Sequence, residues 1–166
     1  MPQINFYWLF ISALVPIVVG SIYYNPKVLG KAWLSAAGLT EEEAAQGSMT
    51  KIFLLTYLFS LFTAYIIYLF SVHQTSVFQL FMHEIISGTS EEYSLYFNDF
   101  MSRYGDKHRT FGHGIIHGAE ITFFMGFGMI GIHTLFERRP MKYLWIHLFY
   151  WVICGSLMGG MLCAWM

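Results

Sequence analysis

The chain has 166 residues, of which 56% are hydrophobic and 11% charged, and its formal net charge is −1 at pH 7. A soluble domain carries roughly 25% charged residues, so this chain lacks the polar surface to coat a water-facing globule. Nine Lys and Arg against ten Asp and Glu leave no basic footprint for nucleic acid.

The charged residues fall in blocks and leave four apolar runs, at about residues 5–24, 52–72, 114–136 and 143–165. Each reaches the roughly 20 residues that a helix needs to cross about 30 Å of hydrocarbon. The fold class read from this pattern is all-α: an integral membrane four-helix bundle, with short amphipathic interfacial helices in loops one and two. Little chain is left for anything else, so residues 1–166 form a single polytopic membrane domain.

The first run lacks the positive start and the A-x-A-like site of a cleaved signal peptide, so it reads as a retained span. Pro16 removes one of its backbone bonds and kinks it. After it comes "YYNPKVLGKAWLSAAGLTEEEAAQG". Asn25 is placed to cap a short helix with Pro26 at its first position. Val28, Leu29, Ala32, Trp33 and Ala36 then share one face, Gly38 ends the helix, and Thr40 with Glu43 has capping-box spacing. Trp and Lys on an amphipathic helix beside a span place it in the membrane interface, and anchoring alone accounts for it.

The second run, Ile52 to Val72, leads into a long loop two. Its "TSEEYSLYFNDFMSRYG" has Thr89 and Glu92 at capping-box spacing and Gly105 where a helix would stop. Tyr93, Tyr96, Phe97, Phe100, Met101 and Tyr104 recur at helical spacing, so loop two is expected to cap the outer face with one or two horizontal helices. In the third and fourth runs, Gly114 with Gly118 and Gly155 with Gly159 form small-x-x-x-small pairs. Such pairs let helix backbones approach closely in lipid, within one chain or between chains. Cys154 and Cys163 lie nine residues apart on one predicted helix, a rise of roughly 13 Å and too far for a disulfide.

Orientation follows from the basic residues. Loops one and three hold Lys27, Lys31, Lys51, Arg138, Arg139 and Lys142, and loop two holds Arg103, Lys107 and Arg109. The positive-inside rule then puts loops one and three in the cytoplasm and both termini on the outer side of an inner membrane.

At "YYNPKVLGKAWLSAAGLT" and "YWVICGSLMGGMLCAW" the chain resembles a bacterial family of small four-span membrane proteins catalogued as domain of unknown function 1761. The family's aromatic pair, proline, Gly-Lys-x-Trp and Gly-Leu-Thr fall on Tyr23, Tyr24, Pro26, Gly30, Lys31, Trp33, Gly38, Leu39 and Thr40. Its closing pattern falls on Tyr150, Trp151, Met158, Gly159 and Trp165. The resemblance implies four spans and transfers no activity and no site.

The chemistry concentrates in "FGHGIIHGAEITFF". On a helix, His113, His117 and Glu120 lie within about 60° of one another. A carboxylate at membrane depth costs roughly 2.5–3.5 kcal/mol when central, and it escapes that cost by protonation or by pairing with a cation. Imidazole and carboxylate on one face suit Zn, Fe or Cu, and a second element must complete the coordination. Loop two offers His83, Glu84 and His108, and His73 at the outer end of the second run is also within reach. The candidate metal ligands are therefore His113, His117, Glu120, His83, Glu84 and His108, with the stripe expected to face the interior. Hydrogen bonding that only satisfies these groups, or a titrating proton path, would use the same residues.

His133 and His147 form a second pair at the cytoplasmic end, where a short hairpin would place them at similar depth. Two such histidines can ligate a haem, but nothing else in the sequence supports haem, which is disfavoured. No H-E-x-x-H helix, nucleophile elbow or phosphate loop is present. Three functions remain open: a metal- or proton-binding transport or binding module, a membrane metalloenzyme using the same cluster, and a structural subunit of a larger membrane complex. The bilayer is the expected partner, with a homo-oligomer or larger complex as the alternatives beyond it.

Overall fold

A computed structural model of the chain describes residues 5–88 and 91–166. Among the described residues the structure is helical and contains no strand. Three helices are long and apolar enough to cross a membrane: α5 (Met49–Ser71), α8 (Phe111–Phe136) and α9 (Met141–Trp165). They coincide with the second, third and fourth runs of the sequence.

The first run is not one continuous helix. It is divided into α1 (Tyr7–Ser12) and α2 (Val15–Tyr23), with Ala13 and Leu14 between them. Pro16 explains the break. It has no N–H to offer the carbonyl of Ser12 and its ring clashes with that carbonyl, whereas near the start of a new helix neither matters. The pair nevertheless runs antiparallel along α9. Asn5 N–H donates to Met166 O at 2.9 Å, Tyr150 Oη donates to Pro16 O at 2.8 Å, and Tyr23 Oη donates to Ile146 O at 2.9 Å. The core lies where α1, α2, α5 and α9 meet, around Ala64, Ile67, Tyr150, Cys154, Met158 and Leu162.

Loop one departs from expectation at its start. Asn25 caps a turn rather than a helix, its Oδ1 accepting from Lys27 N–H and its backbone O from Val28 and Gly30. The helix, α3 (Gly30–Ala37), begins four residues later than Pro26 suggested. The reason is a chain reversal in which Gly30 lies against the backbone of Tyr24 and Asn25, where no Cβ fits. Gly38 closes α3 at φ 64°, and Thr40 with Glu43 forms both halves of the capping box that opens α4 (Glu41–Ala44).

Loop two folds into two helices, α6 (Gln74–Ser87) and α7 (Glu91–Tyr104). The expected cap at Thr89 lies outside the described residues. The aromatic stripe of α7 divides: Phe97 is buried against Phe78 and Phe81, while Tyr93, Tyr96 and Tyr104 stay exposed. Gln74 Nε2 donates to both Tyr104 O and Lys107 O, tying the start of α6 to the end of α7.

The glycine pairs, which in sequence suit contacts within one chain or between chains, join α8 to α9 within one chain. A Cβ on Gly114 would meet the carbonyl oxygen of Gly159, one on Gly118 that of Gly155, and one on Gly155 the side chain of Thr122. No residue larger than glycine fits this seam without parting the helices. Arg139 of loop three reaches Ala37 O of loop one at one end of α9, and Arg109 Nε of loop two donates to Cys163 O at the other.

A candidate metal centre

Three histidines from two segments meet at the end of the bundle formed by loop two. His73 follows Val72 in the two-residue link between α5 and α6, and His113 and His117 are one turn apart at the start of α8. The N-cap of α8 fixes the register of that turn, Thr110 Oγ1 accepting from His113 N–H. His113 Nε2 stands 3.0 Å from His73 Nε2. One ring nitrogen from each of His73, His113 and His117 lies within 4.8 Å of the others. The rings pack edge to face, with centroids 4.4 Å apart for His113 and His117 and 4.8 Å for His73 and His117.

Glu120 has a different place from the one its spacing suggested. Its side chain is 55% exposed, and Oε2 accepts from Nδ1 of His117 at 3.1 Å. Accepting that hydrogen leaves the lone pair of His117 on Nε2. A carboxylate that fixes the tautomer of a ligating imidazole is a recurrent outer partner of metal sites. His113 and His117 are half-buried, whereas Glu120 does not face the interior.

His108 stacks on His113 with centroids 5.1 Å apart and planes 23° from parallel. Its backbone is held at φ 64°, a conformation uncommon for residues other than glycine. Its carbonyl accepts from Thr110 N–H and Cys163 Sγ, which fixes this turn against α9. His83 and Glu84 are not brought to the trio. They lie ten and eleven residues along α6 from His73, roughly 15 Å at helical rise. One carboxylate oxygen of Glu84 is shielded from solvent without a hydrogen-bond partner among the described residues.

Burial, with the neighbouring His117 and His108, pushes the pKa of His73 below 6.5 and favours its neutral, ligand-competent form. Two ligands on a tetrahedral ion with bonds of about 2.0–2.1 Å are separated by about 3.3–3.4 Å. The 3.0 Å gap between His73 and His113 therefore needs to open only slightly. Beside the trio is a cavity of about 170 Å³ lined by His73, Val77, Phe100, Tyr104, Lys107 and His108.

At the opposite end, His133 and His147 line a second cavity, as their equal depth in a short hairpin implied. Cys154 and Cys163 are free and buried.

Together these features define an all-helical protein of membrane-spanning type with a histidine cluster at one end. The chain belongs to the family described as Protein of unknown function (DUF1761), whose model matches residues 8–163. No curated protein and no solved structure matches it.

Proposed function

We propose that this protein is a membrane-embedded metal-binding module in which His73, His113 and His117 are the ligands and Glu120 orients His117. The observation that carries the reading is the convergence of three imidazole nitrogens within 4.8 Å from positions forty residues apart in sequence. Three histidines form the ligand set of open, four-coordinate sites whose last position is left to water or substrate. Of the ligands expected from the sequence, His108 would act by stacking on His113, and His83 and Glu84 would lie outside the centre.

Binding is favoured over conduction. Between Glu120 and His133 the only polar side chain on α8 is Thr122, and it donates to Gly118 O. The metalloenzyme reading draws support from the cavity beside His73, whose Lys107 would favour an anionic occupant. A metal there would supply Lewis-acid polarisation.

In the same reading α1 and α2 complete a fourth span. Their contacts with α9 run from Trp165, which packs on Trp8, to Ile146. That length of α9 corresponds to roughly 28 Å, close to the hydrocarbon thickness. Loops one and three would face the cytoplasm of an inner membrane, with the metal centre outside. Elemental analysis of protein purified without an affinity His-tag tests the proposal. About one transition-metal ion per chain supports it, and none after incubation with Zn, Fe or Cu rejects it.

A further inference from the structure

The cavity at the far end of the bundle is independent of the metal centre. It holds about 210 Å³ and is lined by Ile130, His133 and Glu137 from the end of α8 and by Tyr143, His147 and Trp151 from the start of α9. His147 is the group that needs explaining. Its Nδ1 shares a hydrogen bond with Tyr24 Oη at 2.9 Å, which anchors the ring between Tyr24 and Tyr143. Its Nε2 is shielded from solvent and has no hydrogen-bond partner among the described residues. A buried polar atom left unpaired costs free energy, and His147 itself lines the cavity, so an occupant that reached Nε2 would satisfy it.

The remaining lining restricts that occupant. The volume falls below the roughly 300–1,000 Å³ of sites for drug-sized ligands, so it suits a single ring. Tyr143 and Trp151 offer aromatic faces, and Ile130 an apolar one. Two further polar groups, His133 of α8 and Glu137 just past its end, line the same cavity as His147 of α9. The exposed outer faces of both helices near the cavity are apolar, including Ile132, Phe136 and Ile153, which suits a ligand dissolved in lipid.

We propose that this cavity binds the head of a lipid-soluble 1,4-benzoquinone or its hydroquinone. One ring oxygen would bond to Nε2 of His147 and the opposite oxygen would face His133 and Glu137. Either tautomer of His147 serves, because Nε2 donates to a quinone carbonyl or accepts from a hydroquinone hydroxyl.

The test uses full-length protein in lipid nanodiscs and a short-chain 1,4-benzoquinone carrying a photoreactive azido group. Labelling should be saturable, should map to residues 130–151, and should be displaced by the same quinone without the azide. In His147→Asn the amide replaces Nδ1 toward Tyr24 and removes Nε2, so labelling should fall at least about tenfold while the Tm is kept. Ile130→Trp fills the cavity, leaves His147 intact, and should abolish labelling even if His147→Asn proves unstable. Metal content should be the same in both variants. Labelling spread along the lipid faces without competition, unchanged labelling in both variants, or displacement by zinc ions rather than by quinone would overturn the assignment.

Discussion

The Nε2 atoms of His73 and His113 stand 3.0 Å apart although forty residues separate them in sequence. Neither ring can reach its partner without the path of α6 and α7, which leaves the end of α5 and returns to the start of α8. Removing one ring should therefore disable the centre without touching the glycine seam. In His73→Ala, metal content should fall to background while the helical signal in far-ultraviolet circular dichroism is retained. Retention of stoichiometric metal would show that His73 is not a ligand.

Glu120→Gln distinguishes an orienting carboxylate from a ligand. An outer partner of this kind changes affinity by about 10–100-fold, so the variant should still bind at high metal concentration with a weakened Kd. The stabilisation that metal adds to the Tm should shrink in proportion, as mass action requires. Complete loss of binding at saturating metal would place Glu120 among the ligands instead.

The pKa of His73 is depressed in the folded protein relative to 6.5. Above that value both folded and unfolded states carry it neutral, and it adds no pH dependence. As pH falls through 6.5 the unfolded state takes up the proton first, so the metal-free protein loses stability until the folded pKa is passed. The Tm in detergent should drop as pH falls below 6.5, and His73→Phe should flatten that drop. A profile unchanged by the substitution would remove His73 from the balance.

Gly118→Ala and Gly155→Ala should each destabilise the protein by about 1–3 kcal/mol or more, since a methyl group there displaces backbone or Thr122. Gly128 lies on α8 with Gly118, and a methyl group added to it would meet nothing within 4 Å. Gly128→Ala should therefore be neutral or stabilising by about 0.5–1 kcal/mol. Thermal melts in one detergent compare all three.

Topology is checked by cysteine labelling in intact cells after Cys154 and Cys163 are replaced. A membrane-impermeant thiol reagent should modify Asp106→Cys and spare Lys31→Cys. The reverse pattern would invert the orientation.

Much of the fold was legible because lipid imposes a strict length and composition on a spanning helix. α5, α8 and α9 follow from unbroken apolar runs alone. The division of the first run was legible as a kink at Pro16, but not as two helices, because the extent of the break depends on how α9 holds the segment, as Tyr150 does through the Pro16 carbonyl. The start of α3 was misplaced because local capping signals at Asn25 and Pro26 compete with a chain reversal that only the packing of Gly30 reveals. At the site, spacing alone put His113, His117 and Glu120 on one face. It could not give the direction in which Glu120 turns, and it ranked His83 and Glu84 above His73 because donors in a long loop are unordered until α6 has a direction. His73 was legible as a residue within reach, since it ends the second run next to the third.

The stretch between His73 and His113 holds α6 and α7 and is otherwise fastened by bonds such as those of Gln74. A metal ion shared by these two rings would bind the folded stretch and leave when it opens, holding together positions forty residues apart only in the folded state. The two helices of loop two would then open together on chelation, as one cooperative unit, while the seam between α8 and α9 stayed shut.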